Sequence, residues 1–238
     1  MITDKEILNS LKDKSVLLID DEKFSRAIIR RALHPIEVQE APDGADGLYQ
    51  FLGDSNIAMI LCDFNMPVMD GLKVLKAIRS GFQGARHAVP FLMLTGTSDS
   101  GLVSLALKLD VDGFVVKPVS QNTLETRIRH VFTHARDIQS PKHYAKIDVD
   151  DVSERLLKSM SVPVPEDEKT ETAEPAPTSG RKMQLDAIPV NAMLTCDIRA
   201  PTGELLVAAG QQLSERLIRR LSELAPLGFA PSHVWIEV

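Results

Sequence analysis

Four short apolar runs end in residues that could do chemistry together. SVLLID (15–20) leads into Asp20-Asp21, IAMILCD (57–63) closes on Asp63, PFLMLTG (90–96) carries Thr95, and GFVVKP (113–118) carries Lys117-Pro118. Asp20, Asp21 and Asp63 in one crevice would repel one another unless a proton or a cation stood between them. A hard divalent ion with oxygen ligands resolves that repulsion, and Mg²⁺ keeps several of its waters in such sites. Lys117 and Thr95 beside the carboxylates would neutralise and hydrogen-bond an added anion. This combination suits phosphoryl transfer, where catalysis is mostly positioning plus charge neutralisation. A carboxylate nucleophile would then give an aspartyl phosphate.

For these residues to meet, the runs must be parallel strands whose carboxyl ends share one edge. A further run, IEVQEA (36–41), and the amphipathic stretches between the runs supply that frame. Phe24, Ile28, Ile29 and Leu33 repeat at helical spacing, as do Leu72, Leu75 and Ile78, then Leu102, Leu105, Ala106 and Leu109, then Leu124, Ile128, Val131 and Phe132. A weaker helix is expected over 44–52. Strands alternating with helices predict an α/β fold, (βα)5, with right-handed crossovers giving a doubly wound sandwich. Its ligand site is expected at the carboxyl ends of the strands.

Composition bounds the rest. The chain has 238 residues, 44% hydrophobic and 25% charged, with a formal charge of −6. That acidity argues against a chain that coats nucleic acid, and makes DNA an unexpected partner. The unbroken apolar runs fall well short of the ~20 residues that a spanning helix needs, so no membrane insertion is expected. MITDKEILNSLKDK lacks the apolar core of a secretory leader. Cys62 and Cys196 are too few for a disulfide framework and point to a reducing, cytoplasmic setting.

LLIDDE, CDFNMPVMDG, LTG and GFVVKP, in this order, closely resemble the receiver domain of two-component response regulators, of the chemotaxis-receiver type. The resemblance covers 15–137 and implies a flavodoxin-like fold. It implies Asp63 as phosphoacceptor, Asp21 as a direct Mg²⁺ ligand, Asp20 as an acidic partner acting partly through water, and Asn65 as a backbone-carbonyl ligand. It further implies Thr95 and Lys117 as phosphoryl-stabilising residues, Phe114 as the switch aromatic, and a cis bond at Lys117-Pro118. Met66-Pro67 and Asp70-Gly71 match the loop and turn that open the third helix. A histidine kinase or phosphotransfer protein is the implied donor. The face made by the fourth helix, fifth strand and fifth helix, including Arg127, Arg129 and His130, is a candidate surface for homodimerisation or docking.

The remainder divides by composition. Residues 1–14 are expected to form an N-terminal amphipathic helix built on Ile2, Ile7, Leu8 and Leu11. Residues 138–182 read as an acidic, proline-rich, disordered linker, because SVPVPEDEKTETAEPAPTSGRK offers too little apolar surface to offset its ordering entropy. Residues 183–238 read as a small α+β output module. A hairpin is expected across Pro201-Thr202-Gly203, Ser214 caps a helix lined by Leu217, Leu221 and Leu224, and a strand ends the module. GELLVAAGQQLSERLIRRL resembles the region that precedes HD-GYP cyclic-di-GMP phosphodiesterase domains. No His-Asp pair and no Gly-Tyr-Pro accompany it, so phosphodiesterase activity is not expected, and the chain reads as a signalling protein and not an enzyme. Arg216, Arg219 and Arg220 cluster on that helix as candidate output contacts. Protein–protein output is the leading expectation; a cyclic-dinucleotide or nucleic-acid effector, or a phosphate sink, are the alternatives.

Overall fold

The computed structural model describes residues 11, 13–96, 100–134, 136–149, 180–199, 205–225 and 230–237, in two compact units, 1–154 and 155–238. The first unit runs β1 (Ser15–Ile19), α1 (Lys23–Leu33), β2 (Glu37–Ala41), α2 (Gly44–Gly53), β3 (Ile57–Asp63), α3 (Gly71–Arg79), β4 (Phe91–Thr95), α4 (Ser100–Lys108), β5 (Gly113–Val116) and α5 (Gln121–Thr133). All strands are parallel, in the order β2-β1-β3-β4-β5. This is the doubly wound sheet that the alternation of strand and helix patterns predicts, in the flavodoxin-like form that the resemblance implies. Helices cover both faces, so β1, β3 and β4 are buried almost throughout and can be read as continuous apolar runs.

The core on one face joins Val16, Leu18, Met59, Leu61, Leu92, Leu94 and Val115 of the strands to Ile29 and Leu33 of α1 and to Leu124, Ile128 and Val131 of α5. Only part of the α1 stripe faces it. Phe24 is 72% exposed and Ile28 45%, so the helical spacing there holds while the two residues point to solvent. Leu11 is buried in this core; the rest of the expected leading helix, apart from 13–14, lies outside the described residues, as does the side chain of Leu102.

The first unit does not end with α5. Residues 136–149 pack back on it and include a short helix, α6 (Pro141–Ala145), seated on α3. Tyr144 is fully buried and Val149 nearly so. The stretch expected to open the linker at 138 is therefore structured as far as 149. Its polar composition concealed this because what holds it is a set of polar anchors: Arg136, Tyr144, and the Ile147 carbonyl that accepts from Lys76 Nζ. The rest of the expected linker lies outside the described residues up to 180.

The second unit is a small α+β assembly with strands β6 (Arg181–Gln184), β7 (Ala192–Met193), β8 (Ile198–Arg199), β9 (Leu205–Val207), β10 (Gln212–Leu213) and β11 (His233–Ile236), and helix α7 (Glu215–Leu224) between the last two. They form antiparallel pairs β6–β11, β7–β10 and β8–β9. β6 begins two residues before the expected boundary at 183. The expected hairpin is β8–β9; residues 200–204 between its strands lie outside the described set. Ser214 Oγ accepts from Leu217 N at 3.2 Å, and Ile218, Leu221 and Leu224 bury one side of α7. Arg219 on that helix is half-buried; the Arg216 and Arg220 side chains lie outside what is described.

Candidate functional site

Sheet register brings the acidic residues together. β1 pairs with β3 so that Ile19 stands opposite Cys62, which places Asp20 beside Asp63 one residue further on. The chain leaves β1 toward β2 and continues from β3 toward β4, so this edge is the topological switch point. β4 and β5 pair with Thr95 opposite Val116, and Lys117 N donates to Thr95 O at 2.9 Å. The two residues suited to bind an anion thus leave adjacent strands at the same level, next to the carboxylates.

One carboxylate oxygen from each of Asp20, Asp21 and Asp63 lies within 4.8 Å of the other two. Asp20 is fully buried and fixed from several sides: its Oδ1 accepts from Glu22 N at 2.8 Å and its Oδ2 from Ser25 Oγ at 2.7 Å. Arg26 Nη1 donates to the Asp20 carbonyl at 2.7 Å. Asp21 is exposed and Asp63 is 6% exposed. Lys117 Nζ spans the pair, 2.6 Å from Asp63 Oδ2 and 2.9 Å from Asp20 Oδ2. Ser25 and Arg26 were missed by sequence reasoning; a hydroxyl and a guanidinium in the first turn after an acidic strand end are the signal that could have found them.

Electrostatics make Asp63 the group under strain. Burial pushes its pKa up to about 6; Lys117 opposes this by hydrogen bond and charge, and Asp20 adds to the rise. Burial also works against the Lys117 ammonium, but its hydrogen bonds to Asp63 and Asp20 outweigh it and hold its pKa above the ordinary lysine value. The folded pKa of Asp63 therefore lies above its unfolded value. The stability this gives is fully present below about pH 4 and is lost as pH rises through about 6, at 1.36 kcal/mol per unit, or about 3 kcal/mol in all. We expect the metal-free protein to become less stable over that window, and added divalent ion to restore much of the loss above it. Thermal melts from pH 4 to 7, with and without Mg²⁺, check this; a melting temperature independent of both would refute it.

The remaining residues fall around this centre. Thr95 is fully buried and its Oγ1 donates to Gly96 O at 3.1 Å. Phe114 is buried in β5, and the Lys117-Pro118 peptide is cis. Asn65 is exposed just past β3, and its backbone amide hydrogen-bonds Asp63. Asp70 caps α3 by accepting from Lys73 N at 3.0 Å, and Gly71 N donates to Phe64 O at 2.9 Å. A Cβ at Gly71 would stand 2.5 Å from the Asp63 carbonyl oxygen and 3.0 Å from Phe64 Cα, so only glycine lets α3 begin this close to Asp63. Gly71→Ala should cost about 1–3 kcal/mol, as overpacking against backbone does. Chemical denaturation measures it, and a change below a few tenths of a kcal/mol would contradict the steric argument.

Similarity to known proteins matches this geometry. Residues 16–129 match the response regulator receiver domain. The chain is 32% identical to the chemotaxis protein CheY-3 of Vibrio cholerae over 129 residues, spanning 53% of this chain and 95% of that protein. The chain belongs to the response regulator receiver family. It is also 32% identical to CheY of Pseudomonas aeruginosa over 120 residues, covering 49% of this chain and 94% of that one. Among solved structures, CheY4 of Vibrio cholerae is similar at 30% identity and a TM-score of 0.45, over 50% of this chain and 98% of that chain. This receiver is thus a two-component signalling module occupying the first half of the chain. Among the described residues no helix is long and apolar enough to cross a membrane.

Proposed function

We propose that this chain is a response regulator that accepts a phosphoryl group on Asp63 from the phosphohistidine of a histidine kinase or phosphotransfer protein, and that it signals by protein–protein contact. The observation that carries the reading is Lys117 Nζ held between Asp63 and Asp20, 2.6 and 2.9 Å from their Oδ2 atoms. A carboxylate oxygen of Asp63 attacks phosphorus while the phosphorus–nitrogen bond of the donor breaks; the electron pair leaves with the imidazole nitrogen, which then takes a proton. Lys117 is placed to pair with a phosphoryl oxygen, and Thr95 Oγ to turn from Gly96 O and donate to another. Asp20, Asp21, Asp63 and the Asn65 carbonyl are the set that would hold Mg²⁺, and their carboxylate oxygens suit a hard divalent ion. Bound there, the ion would offset the charge of the carboxylates and of the incoming phosphoryl oxygens.

The added charge then acts as a switch. A phosphoryl group replaces one negative charge by about two and brings new acceptor oxygens. Inward movement of Thr95 would open space for Phe114 and reshape the α4–β5–α5 face, which we assign to docking or homodimerisation. The free thiols Cys62 and Cys196 fit a cytoplasmic setting.

Incubating the full chain with Mg²⁺ and acetyl phosphate tests the reading by intact mass. One added phosphoryl group, labile to hydroxylamine and absent when Mg²⁺ is chelated, is the expected result. No incorporation, or incorporation stable to hydroxylamine, would sink it.

A further inference from the structure

At the edge of the sheet opposite the pocket lies a second charge cluster that phosphoryl chemistry does not use. Its centre is Asp112, just before β5, with a side chain 5% exposed. Asp112 Oδ2 accepts from Arg79 Nη2 at 2.9 Å, from Arg136 Nη2 at 2.8 Å and from Phe91 N at 2.8 Å, while Oδ1 accepts from Arg136 Nε at 2.6 Å. Asp112 N also donates to Phe91 O at 2.9 Å. One carboxylate therefore clamps the amino ends of β4 and β5, the end of α3 through Arg79, and the chain beyond α5 through Arg136.

The other ends of the same two strands carry Thr95 and Lys117. Each strand spans only four or five residues, about 15 Å at roughly 3.3 Å per residue, and close-packed interiors transmit displacement and do not absorb it. Residues 136–149 are fastened where this displacement would arrive. Arg136 grips Asp112 bidentately and donates to Ala88 O at 2.6 Å and Val89 O at 3.1 Å. Tyr144 Oη donates to Asp110 Oδ2 at 2.6 Å and accepts from Gln139 N at 2.6 Å. This strap lies beyond the receiver family's matched residues, which end at 129. Release of Arg136 would leave Asp112 still paired with Arg79, so the strap can loosen without stranding a buried charge.

We propose that Asp112 and the strap 136–149 form a coupling element: occupancy of the pocket, sensed by Thr95 and Lys117, is carried along β4 and β5 to Asp112 and alters the hold on the strap. Arg136 is a positioning residue in this scheme, and the proposal rests on the phosphoacceptor reading of Asp63. The strap is the last described stretch of the first unit before the chain continues to the second.

Hydrogen exchange on the full chain tests it, with Mg²⁺ and beryllofluoride as the acyl-phosphate probe. In the wild type, peptides covering 63, 95 and 117 and peptides covering 136–149 should both respond, the strap by about threefold or more in rate. In Arg136→Ala the pocket should respond while the strap, already fast, does not. Should that variant fail to fold, Tyr144→Phe, which removes only the hydroxyl, takes its place with the same expectation. A responding pocket with a silent wild-type strap, or a strap response unchanged in the variant, overturns the coupling alone. A pocket that does not respond overturns the phosphoacceptor reading and the coupling with it.

Discussion

Asp63→Asn should abolish phosphoryl incorporation and at the same time stabilise the metal-free protein at neutral pH. The first effect follows from removing the proposed nucleophile: the amide oxygen carries no charge to attack phosphorus, and losses on this kind of deletion reach the order of 10⁶-fold in well-studied enzymes. A decrease of at least about 10³-fold in acetyl-phosphate-dependent labelling is the expected reading. The second follows from the raised pKa. Burial makes the ionised Asp63 costly, and Lys117 offsets only part of this, leaving the pKa near 6. Above that pH the wild type carries a charge its surroundings disfavour by up to about 3 kcal/mol, whereas a neutral amide of the same shape does not. The variant should therefore gain up to that much at pH 7 and almost nothing at pH 4. Denaturant unfolding at the two pH values measures both ends. A variant that still labels at Asp63's rate, or that is less stable at pH 7 than the wild type, would contradict the assignment. Function and stability conflict at this one residue, as expected of a site built to gather negative charge.

The pocket was legible in the sequence for a specific reason. In a parallel sheet covered on both faces, strands read as apolar runs, and the residue where each run turns polar marks the carboxyl edge. Asp20, Asp63, Thr95 and Lys117 all announce themselves in that way. The Asp112 cluster did not. Arg79 ends an amphipathic helix where an exposed arginine is the usual expectation, and Arg136 opens a stretch whose composition resembles the linker after it. Their partners include backbone carbonyls of His87, Val89 and Asp110, which no side-chain pattern displays. Ser25 and Arg26 were obscured likewise, since their contacts with Asp20 depend on the angle at which α1 leaves β1. Phe24 and Ile28 show the opposite failure: the spacing was helical, yet burial stops at Ile29 and Leu33. What a periodic pattern cannot supply is the identity of the neighbour, and polar burial depends wholly on the neighbour.

That dependence gives the other large effect. Arg79 is fully buried, and besides Asp112 it donates to His87 O at 2.6 Å, Val89 O at 2.8 Å and Asp110 O at 3.3 and 3.1 Å. The carbonyls satisfy its donors, and Asp112, whose Oδ2 accepts from Nη2 at 2.9 Å, is the largest of the negative groups that balance its charge, ahead of Asp110. Asp112→Ala removes that balance, orphans Phe91 N at the start of β4, and frees Arg136. Leaving a buried charge without its partner costs about 3–5 kcal/mol, against a total stability of about 5–15 kcal/mol for a domain. The variant should unfold at markedly lower denaturant, and it should do so with or without Mg²⁺, because the cluster lies at the sheet edge away from the carboxylates. Removing Arg79 as well, in Arg79→Met/Asp112→Ala, should recover part of the loss by abolishing the stranded charge. Recovery will be incomplete, since the carbonyls of His87, Val89 and Asp110 then lose their donor. A double variant as unstable as the sum of the two single ones would show that charge pairing is not what the cluster supplies. An Asp112→Ala loss below about 1 kcal/mol would show that the buried guanidinium is held by carbonyls alone.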